Sequence, residues 1–179
     1  MAAALLLAGC TIPSGNMPGM DHSAADMFNN ADETFLMEMI AHHEQAIEMA
    51  DMVLDKDGVD ERVTELAQKI KVAQGPEIET MNGWLDDWGV VIADSGMEGM
   101  DHGGAMMSDD DMALLENATG ADASRVFLEL MIEHHQGAIV MAQLQLDNGE
   151  NPDALELAQA IIDDQTAEIA VMQALLSEL

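Results

Sequence analysis

The chain contains one pattern of residues twice. Residues 35–50 and 127–142 share Phe, Met, Ile, a His-His pair, Ala-Ile, Met and Ala in the same register. Residues 66–81 and 157–172, which follow them, share Leu-Ala-Gln and then Ile, Gln, Glu-Ile and Met at equal spacing. A unit this short cannot bury its apolar face alone, so we expect the two copies to pack on each other about a pseudo-twofold axis.

Residue content and boundary signals predict helices in both copies. Ala, Leu, Glu, Gln and Met, which favour helix, dominate the body of the chain. We predict helices over 31–55, 60–88, 122–146 and 152–179, and a short helix over 109–117. Asp60 is a candidate N-cap, Gly89 a stop signal and Pro152 a favourable start. The expected fold class is all-α: an antiparallel four-helix bundle made of two duplicated helical hairpins.

The domain organisation follows from the repeat and from the N-terminus. Leu7-Ala8-Gly9-Cys10 ends a short apolar run and resembles the lipobox of bacterial lipoproteins, in which the Cys is lipidated. The alternative is an accidental apolar N-terminus with a free Cys, since no Lys or Arg precedes the run. The expected segments are a lipoprotein signal (1–10), a Met/His-rich tether (11–30), hairpin repeat 1 (31–92), a Met/His-rich linker (93–120) and hairpin repeat 2 (121–179), with 31–179 forming one bundle.

The charge of the chain limits its partners. The formal net charge is −30, from 35 Asp and Glu against 5 Lys and Arg. Binding nucleic acid requires a basic surface, so nucleic acid is excluded, and contact with an anionic membrane is expected only through a lipid anchor at Cys10. Cations are the natural partners of such a chain, although the charge can also serve solubility alone.

Helical periodicity predicts an unusually polar core. The inward stripes of the two His-containing helices are Phe35, Met39, His42, His43, Ala46, Ala50 and Val53, and Phe127, Met131, His134, His135, Ala138 and Ala142. The facing stripes are Ile70, Gln74, Glu77, Met81, Trp84 and Trp88, and Ile161, Gln165, Glu168 and Met172. Buried polar groups without partners cost roughly 1–3 kcal/mol each. A bound cation, or protonated His paired with Glu, would satisfy them.

The types of donor atom indicate a soft metal ion. Thioether sulfur and imidazole nitrogen suit Cu(I), and by the same argument Ag(I), with Cu(II) as a further alternative. Met39 precedes His42 by three residues and His43 by four, which places sulfur and nitrogen one helical turn apart. The candidate ligands are Met39, His42, His43, Glu77 and Met81 in the first copy, and Met131, His134, His135, Glu168 and Met172 in the second.

Other roles are open for these residues. Each Glu could ligate the ion or orient a His from behind, and one His of each pair could be structural. An internal His–Glu hydrogen-bond network without metal is the alternative. We interpret Gln74 and Gln165 as supporting groups, and Met37, Met52 and Met112 as packing residues.

The tether and the linker carry a second kind of candidate site. The motif Met-x-x-Met-Asp-His occurs in both, and Met106-Met107 follows the second copy. Because no packing role for Met is evident there, we interpret these segments as arms that capture Cu(I), with low-complexity drift as the alternative. The possible linker ligands are Met17, Met20, His22, Met97, Met100 and His102.

These motifs resemble those of the domain of unknown function 305 (DUF305) family, which includes the CopM-like copper-binding proteins of bacterial periplasms. The resemblance covers residues 32–179 and rests on Met-x-x-His-His-x-x-Ala-Ile and Gln-x-x-Glu-Ile-x-x-Met. It implies a ferritin-like four-helix bundle, a role in copper binding, export or resistance, and the same Met, His and Glu ligands. Gly75-Pro76 departs from the second copy, and we expect the proline to kink its helix and to make the two sites differ.

Three functions compete at this point. The first is a metal-binding module, without enzymatic activity, for extracytoplasmic copper sequestration, resistance or delivery to a copper exporter or another copper protein. The alternative is a ferritin-like di-metal carboxylate oxidoreductase or an iron-binding protein. Such sites use about four carboxylates, whereas each copy offers one Glu on the facing stripe. The third is a structural protein whose His–Glu core only fixes the fold.

Overall fold

The described part of the chain contains helices and the short segments that connect them. A computed structural model describes residues 27–90 and 106–179. Five helices follow one another there: α1 (Asn30–Leu54), α2 (Glu61–Asp87), α3 (Asp109–Asn117), α4 (Gly120–Asn148) and α5 (Pro152–Glu178). The predicted all-α class is therefore confirmed, and each predicted helix is present with both ends within two residues of the prediction. In these two ranges no helix is long and apolar enough to span a membrane.

The helix ends follow local capping chemistry. Asn29 and Asp32 form a capping box at the start of α1, and Asp60 accepts from the Arg62 N–H at the start of α2, as predicted. Gly89, with φ of +71°, follows the end of α2. The start of α4 differs from the prediction because the helix begins at Gly120, after a Thr119 that makes no side-chain cap bond. The sequence signal at Asp122 therefore lies inside the first turn.

The helices pack as two pairs joined through α1 and α4. α1 contacts α2, α4 contacts α5, and α1 contacts α4, while the short α3 contacts α1 and α4. The first apolar cluster includes Ala46, Met49, Ala50, Val53, Leu66, Ile70, Phe127, Met131 and Met172. The second apolar cluster includes Phe35, Met39, Ile40, Met81, Leu85, Ala138, Ala142, Ala158 and Ile161. In the second apolar cluster, large residues of α1 thus meet alanines of α4. In the first, large residues of α4 meet alanines of α1.

Each hairpin loop is bonded to the first helix of the other hairpin. Asp32 of α1 is buried and accepts from the backbone N–H groups of Glu150 and Asn151 at 3.1–3.2 Å. Ser124 of α4, the repeat equivalent of Asp32, accepts from the backbone N–H of Asp60 at 2.9 Å. These bonds hold the loop before α5 against α1 and the loop before α2 against α4. They therefore fix the position of one hairpin relative to the other along the helix axes.

The loop before α5 gives a stability prediction at Gly149. A methyl group there would lie 2.3 Å from Gln145 Nε2 and 2.7 Å from Asp32 Oδ1, two atoms that bond each other in the buried loop contact. We expect Gly149→Ala to lower the free energy of unfolding by about 1–3 kcal/mol, measured by urea denaturation, because the contact must open to admit the methyl. Gly83→Ala is the control, since its methyl meets nothing within 4 Å and Ala favours helix by roughly 0.5–1 kcal/mol. If both variants lose the same free energy of unfolding, the proposed crowding at Gly149 is contradicted.

Candidate metal centre

Four histidines form a buried layer where α1 meets α4. We call His42, His43, His134 and His135 the histidine layer; each is at most 1% exposed. Along α1 the layer lies between residues of the second and the first apolar cluster. The rings of His42 and His134 are in contact, with centroids 3.6 Å apart and planes inclined by 34°. This contact joins the two sequence copies, whereas the sequence pattern treats each copy as a separate site.

Two histidines of the layer are each bonded to a carboxylate. His43 Nε2 lies 2.7 Å from Glu77 Oε2, and His135 Nε2 lies 2.7 Å from Glu168 Oε2. An ionised carboxylate only accepts hydrogen bonds, so each Nε2 carries the proton and each Nδ1 keeps its lone pair when the ring is neutral. Both Nδ1 atoms are buried and have no hydrogen-bond partner among the described residues. Each hairpin therefore presents one oriented, buried imidazole nitrogen.

The two glutamates lie at the edge of the core. The prediction put them inside it, but each Glu side chain in these pairs is 24% exposed, whereas the His side chains are fully buried. Partial contact with water lowers the cost of keeping a carboxylate charged. The sequence left open whether each Glu orients a His or binds an ion directly. In the structure each of these glutamates contacts a His.

His134 has a strongly lowered pKa. Burial lowers its pKa well below the usual value of 6.5, and the neighbouring His42, His135 and His43 lower it further. Neither of its ring nitrogens has a hydrogen-bond partner in the described ranges. His134 is therefore neutral at pH 7, which is the form in which imidazole binds metal ions.

The candidate Met ligands are fully buried on both sides of the histidine layer. Met39 and Met81 lie in the second apolar cluster, and Met131 and Met172 lie in the first. The structure thus brings together the two Met of each hairpin. As predicted, Met37, Met52 and Met112 are packing residues at the margins of these clusters. Within residues 27–90 and 106–179, no three His, Cys, Asp or Glu side chains form a group that could hold a metal ion.

A small cavity lies between α2 and α5, beside the His–Glu pairs. Its volume is about 20 Å³, and the residues lining it include Gln74, Glu77, Gln165 and Glu168. The Oε1 atoms of both glutamines are buried without a hydrogen-bond partner in the described part of the chain. α2 is continuous through Pro76, and the His–Glu distance is the same in both hairpins. The expected effect of the proline therefore does not reach this contact.

The end of the linker is attached to α1 by a contact that the sequence did not reveal. Gln45 donates to the Met107 carbonyl at 3.0 Å and accepts from the Met107 N–H at 2.7 Å. The Met107 side chain also packs against the first apolar cluster. The prediction that Met107 has no packing role was therefore wrong. The repeat equivalent of Gln45 is Gly137, so only one copy has this amide.

The other predicted arm ligands are not part of the described structure. Cys10 and the motif residues Met17, Met20, His22, Met97, Met100 and His102 lie outside the described residues.

Comparison with known proteins identifies similar sequences and structures. The sequence model described as a domain of unknown function (DUF305) matches residues 32–176. A Streptomyces coelicolor DUF305 protein described as secreted is 35% identical, with a TM-score of 0.74 over 86% of this chain and 93% of that one. A DUF305 fragment from Deinococcus radiodurans is 30% identical, with a TM-score of 0.76 over 84% and 98%.

A third similar structure is CopM. In its Cu(II)-bound form it is 31% identical, with a TM-score of 0.71 over 82% of this chain and 96% of that one. CopM has also been solved in Cu(I)-bound and Ag-bound forms. No curated protein matches the chain.

The lowered pKa of His134 predicts how the stability of the metal-free chain depends on pH. The folded protein holds this ring neutral. The stability that the neutral ring contributes is fully present above pH 6.5, the ordinary pKa of His, and is lost as pH falls through the lower pKa of the folded state. At pH values below 6.5 we expect the free energy of unfolding to decrease with pH more steeply in the parent than in His134→Gln. The difference between the two slopes should reach at most about 1.4 kcal/mol per pH unit. Urea denaturation of both proteins from pH 7.5 down to about pH 5 measures this difference, because all other titrating groups are shared. Parallel pH profiles would contradict it.

Proposed function

The chain belongs to the DUF305 family, and from this premise we propose that it binds soft metal ions, Cu(I) above all. The observation that carries the proposal is the pair of buried imidazoles whose Nε2 atoms are bonded to Glu77 and Glu168. Histidines that bind metals commonly donate their other N–H to a carboxylate, which fixes the tautomer and the ring orientation. The Nδ1 atoms of His43 and His135 are then the proposed metal-binding atoms.

The choice of ion rests on the sulfur atoms beside these nitrogens. Met39 and Met131 are fully buried and precede His43 and His135 by one helical turn. Thioether and imidazole together favour Cu(I) over hard cations, and Ag(I) has the same preference. CopM, a structural relative, is described in Cu(I)-, Cu(II)- and Ag-bound forms. Met81 and Met172 are proposed as further sulfur donors from the facing helices.

We propose that the architecture is a four-helix bundle of two duplicated hairpins. The exchange of large and small residues between the two apolar clusters supports a pseudo-twofold relation, since Phe35 with Ala138 in one corresponds to Phe127 with Ala46 in the other. The axis would pass near the His42–His134 contact. Each half would then contribute one His–Glu pair and its methionines.

The cellular role that we propose is copper sequestration, resistance or delivery outside the cytoplasmic membrane, with no catalytic step. A surface with a formal charge of −30 attracts cations. Cys10 would anchor the chain to the membrane through lipid, and a copper exporter or another copper protein would receive the ion. The Streptomyces relative, which is described as a secreted protein, supports a location outside the cytoplasm.

A di-metal carboxylate centre is the second candidate function. Such centres use about four carboxylates in the core of a helical bundle. The histidine layer is flanked by Glu77 and Glu168, one carboxylate from each hairpin, and both already accept a bond from His. The methionines that precede the histidines by one turn also favour a soft ion over iron.

A competitive titration tests the proposal. The chain after Cys10 is titrated with Cu(I) against a chromogenic chelator, anaerobically and under reducing conditions. We expect His43→Ala with His135→Ala to weaken binding by roughly 100-fold or more, because changing only a group that is hydrogen-bonded to a metal ligand already costs about 10–100-fold. The matched control is Glu44→Ala with Gln136→Ala, which changes the exposed neighbours on the same two helices and should leave affinity unchanged.

Two outcomes would contradict this site. If the His variant binds Cu(I) as tightly as the parent, copper binds at the Met/His motifs of the tether and linker instead. No binding by the parent would remove the copper proposal and leave iron or a purely structural His–Glu core.

A further inference from the structure

We propose that a groove between α1 and α4 is the docking surface for residues 15–26 of the same chain, which we call the N-terminal arm. The groove has a volume of about 400 Å³ and mainly apolar walls. No candidate metal ligand of the described residues lines it, so this surface is separate from the metal centre proposed above. The residues that line it include Thr34, Phe35, Glu38, Met141, Leu144 and Gln145.

The other half of the repeat has an equivalent surface, and that surface is covered. Phe127 and Met52 stand where the groove has Phe35 and Leu144. Both belong to the first apolar cluster or its margin, as does the fully buried Leu115 of α3. α3 contacts both α1 and α4. The segment that precedes α4 in the chain therefore covers this surface.

The exposure of equivalent residues differs as this cover requires. Leu144 is 56% exposed, whereas Met52 is partly buried. Thr34 is exposed, whereas its equivalent Val126 is partly buried against the first apolar cluster. Within the described ranges, no helix lies over the groove as α3 lies over its equivalent. Because apolar side chains gain free energy when they are buried, the open groove favours a covering segment of the same kind.

The chain enters the bundle at one end of this groove. Asn29 donates to the carbonyl of Asn148, which lines the groove, at 2.9 Å, and Asn151 donates to the Met27 carbonyl at 3.1 Å. The arm thus precedes α1 as α3 precedes α4. An extended chain of its length spans about 40 Å, and the part of α1 that lines the groove, residues 31–38, is about 10 Å long. The arm therefore reaches the far end of the groove.

The register of the repeat selects the arm residue that enters the groove. Met20 is the repeat equivalent of Met112 of α3, which packs against the first apolar cluster. Ser23 is the equivalent of Leu115, so the arm buries less apolar area than α3 and we expect it to bind more weakly. Docking would hold the Met/His motif of the arm against the helices that carry the histidine layer. That consequence for copper capture rests on the proposed function, whereas the docking itself does not.

A second copy of the chain is a poorer occupant of the groove. Each copy has a formal net charge of −30, so two copies repel each other. The arm is joined covalently to α1, which gives it an effective concentration of roughly millimolar at the groove without any association between chains.

Paramagnetic NMR of the metal-free chain after Cys10 tests the docking. Cys10 is the one Cys of the chain, so Asn16→Cys in this protein carries a single nitroxide label. The repeat equivalent of Asn16 is the exposed Ser108, and a label at this position should not block the contact. We expect the methyl signal of Met141 to be lost and to return when the nitroxide is reduced.

Two variants separate docking from mere proximity of the arm. Leu144→Asp places a charge in the groove, and Met20→Gln changes the arm while leaving every helix intact. Each should weaken docking about tenfold or more and restore the Met141 signal. The control is Val72→Asp, which changes another exposed apolar residue, on α2, and should leave the signal lost as in the parent.

Three outcomes would overturn the proposal. The first is a Met141 signal that the label does not affect. The second is an equal loss of signal in the parent and in both variants, because this would reflect an undocked arm that only lies nearby. The third is signal loss in an unlabelled chain mixed with the labelled chain, which would assign the groove to a second copy. Because no metal is present, none of these outcomes depends on the copper proposal.

Discussion

The burial of four imidazoles where α1 packs against α4 determines how the surrounding helices are arranged. Two of the rings are held by carboxylates at 2.7 Å, and the other two contact each other across the helix pair. Burying polar rings costs free energy, and the two carboxylates offset part of that cost. The His42–His134 contact joins α1 to α4, and a slip of one turn between these helices would move both rings into apolar surroundings.

The apolar clusters on either side of the layer fit this register. Where α1 presents Phe35 and Met39, α4 presents Ala138 and Ala142, so bulky side chains meet small ones. The first apolar cluster repeats the arrangement with the roles of the helices exchanged. This exchange brings sulfur close to the layer from both sides. The bonds of Asp32 and Ser124 to the opposite loops stabilise the same alignment at the two ends.

Much of this could be predicted from the sequence because the signals are local. The 3.6-residue period placed Phe35, His43 and Ala46 on one buried face, and capping residues gave most helix ends. Two contacts between elements distant in sequence were not predicted. The His42–His134 contact depends on how the copies dock, and the Gln45–Met107 bonds depend on where the linker returns. The edge position of the glutamates reflects solvent access, which periodicity does not report.

The proposed site requires that the Nδ1 atoms of His43 and His135 bind the metal while their Nε2 protons remain bonded to glutamate. Nitrogen-15 NMR of the histidine side chains, recorded before and after anaerobic loading with Cu(I), tests this requirement. We expect the Nδ1 resonances of these two residues to move and both Nε2 atoms to stay protonated. Unchanged Nδ1 resonances in the histidine layer, with shifts only at His22 and His102, would contradict it.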